Sequence, residues 1–332
     1  MMMNQLIKKF PAQIKEAIEI GETATIRPHH FQIHKVVMAG MGGSAIGGSF
    51  VADIIAEECI SPYIVVSAYH LPAYVDKHTL VIISSYSGNT EETVSALEQA
   101  IATGSKVVCI ASGGKVKEIA LQQKLDFIEL PSGWPSPRAC LGFSLVQQLY
   151  VLYYLGLVSK VSIVNIKSAS DLLNFEQEDI MMKAEKLAAL IFQKMPVLYT
   201  CNRTESVAVR WRQQLNENAK ILCWHNVIPE MNHNELVGWK NKHENLAVIF
   251  LRYKDDVRNN QIRMDFTKQI VTTLAFNVIE IYAKGQTLPE KMIYLTHLGD
   301  WVSWYLALQN KVDPSEIKVI DSLKLELEKN KI

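Results

Sequence analysis

The chain has 332 residues, and its 34 basic side chains are balanced by 34 acidic ones, so the formal net charge is zero. Hydrophobic residues make up 48% and charged residues 20%, which excludes a disordered chain and is ordinary for a globular one. The absent basic excess sets aside a general nucleic-acid binder, which must displace counterions from phosphates.

At about 150 residues per domain, the length implies two domains. The five cysteines (Cys59, Cys109, Cys140, Cys201, Cys223) contain no Cys-x-x-Cys pair, so neither a disulfide framework nor a zinc knuckle is expected. The start, MMMNQLIKKFPAQIKEA, reads as an amphipathic helix without the apolar core of a secretory signal. A reducing cytoplasm is therefore the expected compartment. From Lys35 the pattern becomes strand (KVVMAG), glycine-rich turn (GMGGSAIGG) and helix (SFVADIIAEE). YIVVSAY reads as a strand, and LVIISSYSGNTEETVSALEQAIATG as strand, loop and helix ending at Gly104. KVVCIAS and DFIELPSG are further strands, with the short helix KVKEIALQQK between them. This alternation predicts a parallel, doubly wound sheet with helices on both faces.

PSGWPSP, from Pro131 to Pro137, is rigid and irregular. The apolar stretch Leu145 to Val158 is too short to span a bilayer and reads as a buried core helix. A polar break is expected from Val158 to Lys167, then a connecting helix from Ser170 to Phe192. The alternation then restarts in PVLYTCNRTESVAVRWRQQLNENA, ENLAVIFLRY and FTKQIVTTLAFNVIEIYAKG. VVMAGMGGSAIGG set beside VLYTCNRTESVAV, and LVIISSY beside LAVIFLRY, show a weak internal repeat. The expected organisation is an N-terminal helical segment (1–34), a first α/β domain (35–158), a connecting helix (159–192) and a second α/β domain (193–332).

Two loops carry chemistry. In AGMGGSAIGG, Gly40, Gly42 and Gly43 let the backbone approach a ligand at a helix N-terminus, where unpaired N–H groups favour an anion. Gly40, Gly42 and Ala45 also fit the dinucleotide pattern, but no acidic residue ends the next strand, YIVVS, to hold a ribose. A tight turn without a ligand is the plainest alternative. The second loop, SSYSGNTEET, sets the hydroxyls of Ser85, Ser87 and Thr90 around Gly88-Asn89. Simple helix capping by Thr90, with Thr93 and Glu91-Glu92, is the rival there. Both loops point to the carboxyl edge of one parallel sheet, where ligands bind in this architecture. Hydroxyls and amides converging there suit a phosphate without a cation.

The pairing of GMGGSAIGG with SSYSGNTEET resembles the sugar isomerase (SIS) domain, which binds phosphosugars. PSPRACLGFSL, NENAK, PEMNHNELVGW and DPSEIKVIDSLK extend the likeness, from about Lys35 to Lys324, to the bifunctional phosphoglucose/phosphomannose isomerase family. The resemblance implies two SIS-type subdomains. It implies a metal-independent aldose–ketose isomerase that needs no cofactor and acts as a homodimer on a phosphorylated hexose, with neither nucleic acid nor membrane as partner. Gly42, Gly43, Ser44, Ser85, Ser87 and Thr90 match the family's phosphate-binding positions. Arg138 matches the arginine near the reacting carbons, Glu217 the catalytic base, and His233 a ring-opening histidine supplied across the dimer. Lys324 is the best match for a ring-opening lysine, with Lys311 and Lys318 nearby. The alternatives are an isomerase of another phosphosugar and a non-catalytic phosphosugar sensor. A sensor usually carries a DNA-binding module, and only about thirty residues precede the first strand, too few for a helix-turn-helix domain.

These residue types suit the reaction. A carboxylate tuned towards neutrality can move a proton between adjacent carbons, an arginine can stabilise an enediolate, and a histidine can exchange protons with the ring oxygen. Each has a bland reading alone: a solvated glutamate, a loop arginine, a surface histidine. His29, His30 and His34 have no carboxylate at helical spacing that would complete a metal site. Five of the six tryptophans, Trp211, Trp224, Trp239, Trp301 and Trp304, read as packing residues.

Overall fold

The structure, a computed structural model describing residues 1–330, opens with helices α1 (Met3–Lys8) and α2 (Phe10–Thr23). The first alternation runs β1 (Lys35–Ala39), α3 (Gly42–Ile55), β2 (Tyr63–Val66), β3 (Thr79–Ser84), α4 (Glu91–Ala102), β4 (Lys106–Ala111), α5 (Gly114–Gln122) and β5 (Asp126–Glu129). Then come α6 (Leu141–Tyr154) and the long α7 (Val161–Ile191). The second alternation runs β6 (Met195–Cys201), α8 (Glu205–Ala219), β7 (Trp224–Ile228), β8 (His243–Arg252), α9 (Arg258–Thr272) and β9 (Ala275–Tyr282). Helices α10 (Leu288–Gln309) and α11 (Lys318–Lys329) follow.

The chain divides into two compact units. One comprises residues 8–176 and 284–294, the other residues 1–7, 177–283 and 295 onward. In the first, a fully parallel five-stranded sheet has the order β2-β1-β3-β4-β5. In the second, a fully parallel four-stranded sheet has the order β7-β6-β8-β9. The weak sequence repeat is thus a repeat of topology: β1 and β6 each lie between the next two strands of their own half. Strands β3 and β4 are buried along their whole length, as β-branched runs covered on both faces should be.

Helix α6 is the expected buried helix, with Leu141 to Leu152 all inside. Both of its glutamines donate: Gln147 Nε2 to Ala17 O at 2.7 Å, and Gln148 Nε2 to Ser144 Oγ at 2.8 Å. The N-terminal segment read as one amphipathic helix is two, α1 and α2, broken at Lys9; the buried Gln13 of α2 donates to Ala139 O (2.8 Å) and accepts from Gly142 N (2.9 Å) at the start of α6. The polar break expected before Lys167 is absent. Helix α7 already begins at Val161, where Ser159 Oγ accepts the Val161 N–H at 3.3 Å, because buried Ile163, Ile166 and Ala169 continue the helical spacing backwards. Strand β7 and helix α10 were not legible in the sequence. The WHNVI strand is broken by polar His225 and Asn226, and α10 carries apolar residues on most of its circumference.

Candidate active site

In the sheet order β2-β1-β3-β4-β5, the chain turns one way after β1 and the other way after β3. Ligands in open parallel sheets bind in the crevice outside the carboxyl ends of two such strands. Both loops singled out in the sequence lie there. Helix α3 follows β1 with Met41 at its N-cap, and α4 follows β3 with Thr90 at its N-cap; neither N-cap side chain bonds the helix. Two long helices therefore bring uncapped N–H groups and positive dipole ends to adjacent strands. Gly42, at φ +49°, makes the turn into α3 that an ordinary side chain would resist.

The second loop is built around hydroxyls. Ser85 Oγ lies 3.0 Å from Thr90 Oγ1 and accepts the Gly88 N–H at 3.1 Å, while the exposed Ser87 Oγ accepts the Asn89 N–H at 3.3 Å. Capping by Thr90 is therefore not what its hydroxyl does. Ser44 is buried, and its carbonyl accepts Ser144 Oγ at 3.2 Å; Ser144 also reaches Ser84 Oγ at 3.2 Å. Sequence reading missed Ser144, because nothing local to α6 shows that it ties both loops together. The dinucleotide reading loses its ribose site: the residue after β2 is Ser67, whose hydroxyl donates to Gly40 O at 2.9 Å.

Arg138 is buried in a one-turn 3-10 helix, Pro137–Cys140, against the first loop. A β-carbon built on Gly43 would stand 3.1 Å from Pro137 O and 3.2 Å from Arg138 Cα, so the glycine permits this approach. Tyr86 links the second loop to the same segment. Its hydroxyl donates to Pro131 O at 2.9 Å and accepts the Trp134 N–H at 3.0 Å. The structure thus brings Gly42, Gly43, Ser44, Ser85, Ser87, Thr90 and Arg138 together in one unit.

The floor of the second loop is close-packed. Gly88 has φ +69°, and a β-carbon there would fall 1.8 Å from Gly113 O. Gly88→Ala is expected to destabilise the protein by about 2 kcal/mol or more, from left-handed strain plus the clash, read as a lower urea midpoint. An unchanged midpoint would show that the loop is not held as drawn.

The remaining sequence candidates lie in the other unit. Glu217 is half-buried near the end of α8, beside a cavity of about 370 Å³ that residues 316–320 also line. Lys220, in the left-handed conformation at the helix end, donates through Nζ to Glu217 O (2.5 Å) and Glu316 O (2.6 Å). Helix α8 is clamped to α10 at three levels. Buried Arg210 pairs with Asp300 through Nε (3.1 Å) and Nη2 (3.0 Å), Trp211 Nε1 donates to Leu295 O (2.8 Å), and Asn218 Nδ2 to Ser303 Oγ (2.9 Å). These contacts fix the rotation of the helix that carries Glu217. His233 is exposed at the end of a short 3-10 turn, Glu230–His233.

Lys324 lies on α11 with its side chain 63% exposed and paired to Asp321 at 3.4 Å. Of the nearby lysines, it is Lys318 that lines the Glu217 cavity. Among the described residues no group of three or more His, Cys, Asp or Glu side chains could hold a metal ion, and no helix is long and apolar enough to cross a membrane. None of the five cysteines is in a disulfide.

The SIS domain model matches residues 31–125, and the model of the bacterial phospho-glucose isomerase C-terminal SIS domain matches residues 180–327. A bifunctional phosphoglucose/phosphomannose isomerase from Caldicellulosiruptor bescii is 40% identical, covering 98% of each chain. Its counterpart from Aquifex aeolicus is 37% identical over 89% of this chain and 91% of that one. Among solved structures, the C-terminal domain of glucosamine-fructose-6-phosphate aminotransferase from Francisella tularensis superposes with a TM-score of 0.73 at 13% identity, over 95% of this chain and 98% of that one. That likeness establishes the fold.

Proposed function

Because the chain belongs to the bifunctional phosphoglucose/phosphomannose isomerase family, we propose that it interconverts glucose 6-phosphate and mannose 6-phosphate with fructose 6-phosphate. The observation that carries this reading is the anion cradle between β1 and β3, with the buried Arg138 against its wall. The substrate phosphate sits on the uncapped amides at Gly42, Gly43 and Ser44 and on the hydroxyls of Ser85, Ser87 and Thr90. Dipoles do this work, so a neutral chain takes an anionic substrate without a basic surface.

Arg138 stands at the sugar end, where a permanent charge with fixed donors stabilises an enediolate. Glu217 takes the proton from one carbon and returns it to its neighbour. His233 exchanges protons between the ring oxygen and the anomeric hydroxyl, and a lysine of the 318–324 segment assists. The two aldoses differ only at the second carbon. An enediol protonated from either face lets one base serve both.

A homodimer in the cytoplasm is proposed as the working form. The reduced cysteines support the compartment. Helix α11 supports the dimer, since none of its residues is buried and Ile320, Leu323 and Leu327 form an exposed apolar stripe at helical spacing.

The test gives purified, EDTA-treated protein each aldose phosphate separately and measures fructose 6-phosphate. Turnover of both is expected, with no loss on chelation. Failure to turn over either sugar ends the isomerase reading, and a requirement for added metal ends the metal-free mechanism.

A further inference from the structure

The crossover from β7 to β8, residues 229–242, contains no α-helix, yet it carries His233. Two 3-10 turns, Glu230–His233 and Glu235–Gly238, meet at Asn234. Asn234 closes them on each other: Oδ1 accepts the Glu235 N–H at 2.6 Å, and Nδ2 donates to Glu230 O (3.2 Å) and Oε1 (2.9 Å). That fold-back fixes the shape of the loop and leaves open where the loop sits on the sheet.

Glu235 decides where it sits. Its carboxylate accepts from the buried Tyr199 hydroxyl on β6, from Asn226 Nδ2 (2.7 Å) on β7, and from Trp224 Nε1 (3.4 Å) on β7. Trp239, at the far end of the crossover, donates Nε1 to the same Tyr199 hydroxyl at 2.8 Å. Burial, and then the adjacent carboxylate, push the Tyr199 pKa up, so the phenol remains a donor throughout the working range. A carboxylate that accepts from three donors on two strands resists sliding in either direction along the sheet. On the other side of His233, Asn232 Nδ2 donates to the buried Thr267 Oγ1 at 2.9 Å, and the Met231 side chain is in the core. The exposed imidazole is therefore presented from a backbone held on both flanks.

We propose that Glu235 is a positioning residue that sets the place of His233 through the Tyr199–Asn226–Trp224 anchor. The proposal rests on the ring-opening role given to His233 above. A loop shifted by about 1 Å costs up to about a hundredfold in rate, while phosphate affinity, which comes from the other unit, is unaffected.

The experiment compares E235A and E235Q, each in the wild-type and H233A backgrounds, with glucose 6-phosphate as substrate. E235A is expected to lower kcat about tenfold or more with KM within about twofold, and E235Q, which keeps an acceptor for Tyr199, to recover part of the loss. In the H233A background E235A should cost nothing further. Equal losses in both backgrounds, or full kcat in E235A, would overturn the proposal.

Hydrogen exchange of the 230–239 amides supplies a readout that needs no turnover. E235A, or Y199F should E235A fold poorly, is expected to speed exchange there at least about tenfold, and unchanged protection would also overturn the proposal. Accelerated exchange in E235A, with a wild type that turns over neither sugar, would refute the isomerase reading alone.

Discussion

Glu217→Gln is expected to lower kcat on glucose 6-phosphate and on mannose 6-phosphate together, by about 10²–10⁴-fold. The amide keeps the shape of the side chain but cannot take up a proton from carbon. KM should change little, because the proposed phosphate site lies at the β1 and β3 edge, in a unit to which Glu217 does not belong. Parallel assays with the two aldoses, with the melting temperature as a folding control, settle the matter. Retention of either activity would mean that the two sugars do not share a base. The two losses should agree within about threefold, since one carboxylate serves one enediol.

Arg210→Met is expected to lower stability by about 3–5 kcal/mol, because it leaves the Asp300 carboxylate buried without its bidentate partner. The double variant Arg210→Met/Asp300→Leu should recover most of that loss, since two apolar residues pack where two desolvated charges stood. Urea midpoints of the two single variants and the double variant measure the coupling. If the single variant unfolds at the wild-type midpoint, the pair does not hold α8 against α10. The effect belongs to function as well as to stability, because the same clamp sets the rotation of the helix that carries Glu217.

The fold class and the anion cradle were legible because each is written locally. Buried β-branched runs, glycines at the strand-to-helix turn and hydroxyls in the next such turn are contiguous signals, and the structure puts both turns at the edge of adjacent strands β1 and β3. The weak repeat was legible for the same reason and proved to be a repeat of strand order. Strand β7 was not, since WHNVI has no apolar alternation; it is a strand because β6 offers it a parallel ladder from Val197 to Cys201. The early start of α7 was obscured because its first turn buries Ser162 and exposes Val161 and Val164, which blurs the apolar spacing.

The rest of the site depended on residues distant in sequence. Ser144 lies 100 residues from the Ser44 carbonyl it holds, and Arg210 lies 90 residues from Asp300. Lys324 was the best motif match, yet Lys318 lines the Glu217 cavity, a distinction that no spacing along α11 encodes. By itself the sequence determined the class of fold, the family and the two glycine- and hydroxyl-rich turns proposed to hold the phosphate, because short-range backbone geometry and hydrogen-bonding capacity are properties of neighbouring residues. Only the tertiary structure decided which helices clamp Glu217, which segment Arg138 packs against and how Glu235 anchors the His233 loop. Those contacts arise when separate elements bury their faces on one another, and close packing then selects a single set of partners.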